Sequence, residues 1–91
     1  MKHVTYIKAK QVEEQSIADE VMLYDTNTNS IHVLNPTAQE IWEMTDGKHS
    51  KEDIVKHFIQ NYPQEDEKKL KKEVEEAISI MLEKEIISRN T

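Results

Sequence analysis

The feature that most constrains this chain is a pair of β-prone segments joined by a polar turn and followed at once by a helix start. The segments are residues 21–24 and 31–34, and the connection at 26–29 consists of threonine and asparagine, which suit tight turns. Asn35 is then a favourable N-cap, and Pro36 at the first helical position gives up no hydrogen bond that the helix would use. The sequence therefore predicts a β-hairpin that leads directly into an α-helix.

Three helices of increasing length are predicted after the hairpin. The first closes at Asp46 and Gly47, where the chain's only glycine is placed for the left-handed position after a helix. The second begins at Ser50, which has capping-box spacing to Asp53. The third covers about residues 65–84, with apolar residues at the spacing of one buried face. These residues are Leu70, Val74, Ala77, Ile78, Met81 and Leu82.

Weaker strand signals lie at both ends of the chain. Residues 4–7 and 12–17 each fit a short strand, and residues 86–89 fit a final one. The predicted fold class is therefore α+β. A small N-terminal antiparallel β-hairpin or three-stranded sheet precedes a three-helix core like that of a winged helix-turn-helix. No repeat or boundary divides the chain, so we expect a single domain over residues 1–91.

Side-chain alternation along the second predicted strand separates its residues into two faces. Ile31 and Val33 share one face, and His32 is out of phase with them. We expect His32 on the more exposed face of the strand. Trp42 lies in helical register with Ile41, so we expect it in the core rather than as a ligand anchor.

Charge and composition exclude several classes of function. The net charge is −6, and the single dense lysine cluster at residues 68–72 is flanked by acids, so we expect no nucleic-acid partner. The chain has no cysteine, which removes disulfides, thiolate zinc sites and cysteine nucleophiles. Neither a signal peptide nor a membrane span is apparent. We therefore expect a soluble, cytoplasmic protein without a membrane partner.

Residues suited to catalysis are scarce. A single glycine rules out a glycine-rich phosphate loop, and no nucleophile-elbow motif is present. No two of the four histidines have the spacing of a helical zinc site. Asp53 and His57 are one helical turn apart, but a solvated pair is the better interpretation than an acid–base pair. We expect no enzymatic activity, no metal and no cofactor.

The stretch from residue 23 to residue 47 reads LYDTNTNSIHVLNPTAQEIWEMTDG. This order of hairpin, L-N-x-T-A helix start, I-W pair and D-G turn resembles the PqqD-like family, and the resemblance continues over about residues 12–87. Family members often have a glycine after the third helix, where this chain has Glu85 before Ile86 and Ile87.

The resemblance implies a non-catalytic peptide chaperone. PqqD-like domains hold the leader of a ribosomally synthesised precursor peptide as an added strand and present it to a modifying enzyme, such as a radical-SAM maturase or a leader protease. An open strand edge suits that role, since its backbone groups need partners. The contacts that we predict on this basis are Ser30, Ile31, His32, Val33 and Leu34 from the strand, and Lys71, Val74, Glu75 and Ile78 from the third helix.

Alternatives stay open at the level of sequence. Val74 and Ile78 fit the core as well as they fit a binding groove. A winged-helix DNA-binding protein would use the lysine cluster, although acids follow it along the same helix. An interface module that binds only the enzyme would use the same groove without a leader peptide. The sequence also leaves open a homodimer, since an unpaired edge can pair with a second copy.

Overall fold

The computed structural model describes residues 4–90 of the chain. It is an α+β fold with two three-stranded antiparallel sheets and three helices. The elements in chain order are β1 Thr5–Lys8, β2 Val12–Ile17, β3 Glu20–Asp25, β4 Ser30–Leu34, α1 Pro36–Glu43, β5 Asp46–Ser50, α2 Lys51–Asn61, α3 Glu67–Glu83 and β6 Ile87–Asn90. The predicted α+β class, the hairpin and the three helices are confirmed.

The first sheet, which we call the hairpin sheet, has the strand order β2-β3-β4. Its strands follow one another in the chain, so each pairing needs only a short connection. One turn contains Ala18 and the other Asn29, both in the left-handed region with φ of 57° and 58°. The Asn29 side chain accepts a hydrogen bond of 2.6 Å from the Tyr24 hydroxyl, which holds the second turn against its strand.

The second sheet, which we call the closing sheet, has the order β5-β1-β6 and corrects the expected arrangement of the N-terminus. The first strand, for which no partner was predicted, pairs with β5 and β6. The β5 strand, between the first two helices, was not predicted, because its sequence DGKHS contains no β-branched or aromatic residue. The winged-helix comparison stays a prediction.

Helix α1 begins as its sequence predicts but ends earlier. The Asn35 side chain accepts a hydrogen bond of 2.8 Å from the backbone of Ala38. The expectation that Gly47 terminates this helix is wrong, because the helix ends at Glu43 and its C-cap is Met44. Gly47 instead lies in β5 with φ of 82°, where an added Cβ would come within 3.3 Å of the Ile7 side chain. The glycine is needed for the close approach of β5 to β1.

Helix α2 starts with the predicted cap, whereas the N-cap of α3 is Asp66, which was expected within its first turn. The Ser50 hydroxyl accepts from the backbone of Asp53, and the Asp53 carboxylate accepts from the backbone of Ser50, which completes the capping box of α2. Asp66 caps α3, which is shorter than expected. None of the helices within residues 4–90 combines the length and apolar character that crossing a membrane requires.

The core lies where the three helices meet the inner faces of both sheets. Trp42 is only 3% exposed, as expected for a core residue, and its indole Nε1 donates a hydrogen bond of 2.7 Å to the Glu14 carboxylate on β2. Lys8 of β1 lies over the same ring, with its Nζ 4.9 Å from the centroid. Trp42 therefore joins α1 to both sheets.

Candidate peptide-binding groove

A groove of about 350 Å³ runs between strand β4 and helix α3. Its strand side is formed by His32, Val33 and Leu34, and its helix side by Glu73, Glu76, Ala77, Ile80, Met81 and Lys84. The start of α1 closes one end, through Thr37 and Ala38. The groove is open along its length, and Ile80 is 50% exposed within it. An exposed isoleucine in a concave site offers apolar surface to a ligand.

Strand β4 borders the groove with an edge that no other strand of residues 4–90 pairs with. The strand pairs with β3 on one side, and it is the last strand of the hairpin sheet. In an antiparallel edge strand, alternate residues direct their N–H and C=O groups away from the sheet. A row of backbone donors and acceptors therefore faces the space beside α3.

The faces of β4 are the reverse of the expectation for His32. His32 pairs with Leu23, which is fully buried, so the histidine is on the inner face and lines the groove. Ile31 and Val33 are 65% and 61% exposed. They point to the outer face because the cross-strand register places them opposite residues of that face on β3. Leu34, on the inner face, is buried in the core.

Of the predicted contact residues on α3, none lines the groove. Val74 and Ile78 are 0% and 2% exposed and belong to the core. Lys71 and Glu75 lie on the side of α3 that faces α2, together with Lys51, whose Nζ is 3.5 Å from the Glu75 carboxylate. The structure therefore groups three of the five predicted strand residues, His32, Val33 and Leu34, with a different face of the helix, whereas Ser30 and Ile31 do not line the groove.

The groove face of α3 consists of residues 73, 76, 77, 80 and 84. Their spacing of i, i+3, i+4, i+7 and i+11 places them on one stripe of a helix with 3.6 residues per turn. Ile80 was the available signal, since it is an apolar residue outside the buried stripe that contains Val74 and Ile78. An apolar side chain that the core does not use, and that lines a groove, is available to a ligand.

A polar network closes the space beyond the Thr37 end of the groove. A second cavity of about 300 Å³ lies there, and Thr37 and Glu73 line both cavities. On its wall, Glu40 accepts a hydrogen bond from the Tyr62 hydroxyl, which raises the pKa of Tyr62. His57 Nε2 lies 2.9 Å from the other Glu40 oxygen. These contacts join α1 to α2, and we assign them a structural role.

The remaining titratable features lie away from the groove. Asp46 accepts from the backbone of Lys48 and lies 2.9 Å from His49 Nδ1, and these contacts hold the pKa of its carboxyl below the usual value. His3 lies outside the described residues. Within residues 4–90, no group of three or more potential ligands is arranged to hold a metal ion.

Fold and groove together define a small α+β domain in which the edge strand β4 lies beside an open groove. A family model described as Coenzyme PQQ synthesis protein D (PqqD) matches residues 20–87. This chain belongs to the PqqD family. The match includes the whole groove, from β4 to Ile86.

A solved structure has the same fold. The chain is similar to "TbiB1 in Complex with the TbiA(beta) Leader Peptide", with 21% sequence identity and a TM-score of 0.77. The similarity covers 90% of this chain and 94% of the other. A comparison with curated proteins finds no significant match.

Proposed function

We propose that this protein binds the leader of a ribosomally synthesised precursor peptide as an added strand on β4. The observation that carries the proposal is the unpaired β4 edge beside a groove that contains exposed apolar surface. Strand addition would draw affinity from the backbone groups of Ser30–Leu34 and selectivity from side chains that enter the groove. The protein would act without catalysing a reaction itself.

The opposite edge of the hairpin sheet is a poor alternative for strand addition. Strand β2 is almost entirely exposed and carries Glu13 and Glu14. Charged side chains on an edge strand discourage pairing with other chains. Within residues 4–90, the groove between β4 and α3 has no counterpart at β2, since the cavities that α3 lines contain no β2 residue.

The neighbouring structure supports this proposal through its fold and its bound partner. The TbiB1 structure is a complex with a leader peptide, and it shares its architecture with most of this chain. The PqqD family assignment points the same way. We propose that the partner enzyme is a radical-SAM maturase or a leader protease, and that the bound leader brings the attached core peptide to it.

The contact residues proposed here differ from those inferred from sequence on the helix side. On the strand, we retain Ser30, Ile31, His32, Val33 and Leu34. On α3, the groove stripe with Ala77 and Ile80 replaces Lys71, Val74, Glu75 and Ile78, since those four face the core or α2. Ile80 is the side chain with the largest accessible apolar surface in this stripe.

The test is calorimetric titration of the protein with synthetic leader peptides from short open reading frames next to its gene. We expect one leader to bind with a micromolar or lower Kd, about −8 kcal/mol. Two further versions of that leader carry N-methyl groups on alternate residues, in opposite phase. Only one phase should abolish binding, because in an added strand every second N–H points to β4.

Two arginine variants locate the site. Ile80→Arg blocks the groove and should weaken binding by about tenfold or more, whereas Ile17→Arg changes a similarly exposed residue on β2 and should leave Kd within about twofold. Equal loss with both N-methyl phases would contradict strand addition. Tight association with a neighbouring enzyme, without binding of any leader, would identify an interface module instead.

A further inference from the structure

The groove face of α3 is ordered by charge along the helix. Glu73 and Glu76 come first, Ala77 and Ile80 form an apolar centre, and Lys84 comes last. All of them lie on the single stripe described above. A ligand that follows the groove would therefore meet an acidic end, an apolar middle and a basic end.

The charges at both ends of this stripe are uncompensated within the described part of the chain. The ion pairs between described residues include neither Glu73 nor Glu76, and none involves Lys84. Glu75, on the other side of the same helix, does have a partner in Lys51. The groove thus presents charges of opposite sign that make no ion pair with other described residues, whereas Glu75 on the α2-facing side of α3 is paired.

The length of the stripe matches a short strand. Eleven residues separate Glu73 from Lys84, which corresponds to about 16 Å along an α-helix. The five residues of β4 span about 13 Å from the first Cα to the last at roughly 3.3 Å per step, and long charged side chains on a guest strand can bridge the difference. A five-residue segment paired with β4 would reach from the acidic end to the basic end.

The two ends of the groove can be assigned to the two ends of β4. Gln11 Nε2 contacts the Glu85 carbonyl at 3.1 Å and the Asp25 carboxylate at 3.5 Å, which places the end of α3 beside the turn that precedes β4. Glu73 lines the second cavity with Thr37, which follows β4 in the chain. Strand β4 therefore runs from the basic end to the acidic end, antiparallel to α3.

We infer that the leader recognised here contains a Lys or Arg two residues before an apolar residue and an Asp or Glu two residues after it. This inference rests on the proposed function. All four pairings in the described sheets are antiparallel, and an antiparallel guest on β4 begins at the acidic end. Its alternate side chains then face the groove, so the cation meets Glu73 and Glu76, the apolar residue meets Ile80, and the anion meets Lys84.

Selection from a random peptide library displayed on messenger RNA tests the inference without knowledge of the natural leader. The full protein is the bait, and the Ile80→Arg variant removes peptides that bind elsewhere. We expect the enriched peptides to share the order basic, any, apolar, any, acidic. Groove-dependent peptides without this charge order would overturn the inference and leave the proposed function intact. A failure to enrich any groove-dependent peptide would overturn both.

A charge exchange then tests the residue assignment with one selected peptide. The double variant Glu73→Lys, Glu76→Lys should bind it about tenfold more weakly or worse, and replacement of the peptide's basic residue by Glu should restore binding to that variant. The control is Glu43→Lys, Glu83→Lys, which changes the net charge equally at exposed positions outside the groove. If the control loses the same affinity, or if the exchanged peptide does not restore binding, then Glu73 and Glu76 do not select the basic residue of the peptide.

Discussion

The hairpin sheet and the closing sheet are both three-stranded and antiparallel, yet they use their strands differently. The hairpin sheet joins consecutive strands and leaves the edge of β4 and the outer side chains of Ile31 and Val33 exposed. The closing sheet joins the beginning, the middle and the end of the described chain, with β1 at its centre. Its inner residues Tyr6 and Ile87 are buried at 6% and 2% exposure.

This difference gives the two sheets separate roles: the hairpin sheet is available for ligand binding, and the closing sheet stabilises the fold. A sheet made of local hairpins tolerates an open edge because its own turns hold the strands together. The closing sheet has no such turns, so its strands depend on side chains buried against the helices. We therefore expect stability to depend most on the closing sheet, whereas ligand binding depends on the hairpin sheet.

The strongest test of this division is the same substitution in each sheet. Ile87→Ala removes a buried side chain from β6 and should lower the free energy of unfolding by about 2–4 kcal/mol. Ile31→Ala removes a side chain that is 65% exposed on β4 and should cost at most about 1 kcal/mol. Urea denaturation of both variants measures the two values. If both variants lose the same free energy of unfolding, stability does not depend more on the closing sheet than on the hairpin sheet.

A smaller loss of stability is expected when the hydrogen bond between the hairpin sheet and α1 is removed. Glu14→Ala removes the acceptor of the Trp42 indole N–H and leaves that donor buried, which should cost about 1–2 kcal/mol. Glu13→Ala changes the neighbouring residue, which faces outward, and should stay within about 0.5 kcal/mol of the parent. Trp42 is the only tryptophan, so its fluorescence should shift in the first variant alone. A shift in both variants would argue against a specific link.

The same two sheets show how far the sequence predicts this fold. The hairpin sheet could be predicted because its signals are local: an alternating strand, an asparagine-rich turn and the Asn35 N-cap lie within fifteen residues. The closing sheet could not, because β5 has no strand propensity of its own and its pairing with β1 spans about forty residues. Gly47 was taken for a helix end for the same reason, since the approach of β1 that requires it is a tertiary contact.

The strand side of the candidate site could be predicted from the sequence, but the helix side could not. The β4 edge follows from the hairpin, and its five residues were predicted. The helix side was ambiguous because two stripes of α3 carry apolar residues: Val74 and Ile78 fitted the core as well as the groove, and their burial places them in the core. Only the position of β4 relative to α3 decides which stripe faces it, and that position depends on the packing of α1 between them.

The smallest predicted change in stability concerns the turn that connects α3 to β6 of the closing sheet. Glu85 has φ of 60°, and the helix ends in a Schellman motif, with the Ile86 N–H bonded to the Met81 carbonyl at 3.1 Å and the Glu85 N–H bonded to the Leu82 carbonyl at 3.0 Å. A side chain in this left-handed position is strained, whereas glycine is not. Glu85→Gly should therefore raise the free energy of unfolding by about 1 kcal/mol.

The matched control for that variant lies two residues earlier, in the same helix. Glu83→Gly places glycine in the last turn of α3, where the backbone is helical, and should lower the free energy of unfolding by about 1 kcal/mol. Opposite shifts of the urea midpoint would confirm that α3 ends at Glu83, with Lys84 as its C-cap, although Glu85 stands where family members often have glycine. A loss in both variants would mean that Glu85 continues the helix in solution. In that case Ile86 and Ile87 would rotate out of the core, and the closing sheet would lose its last strand.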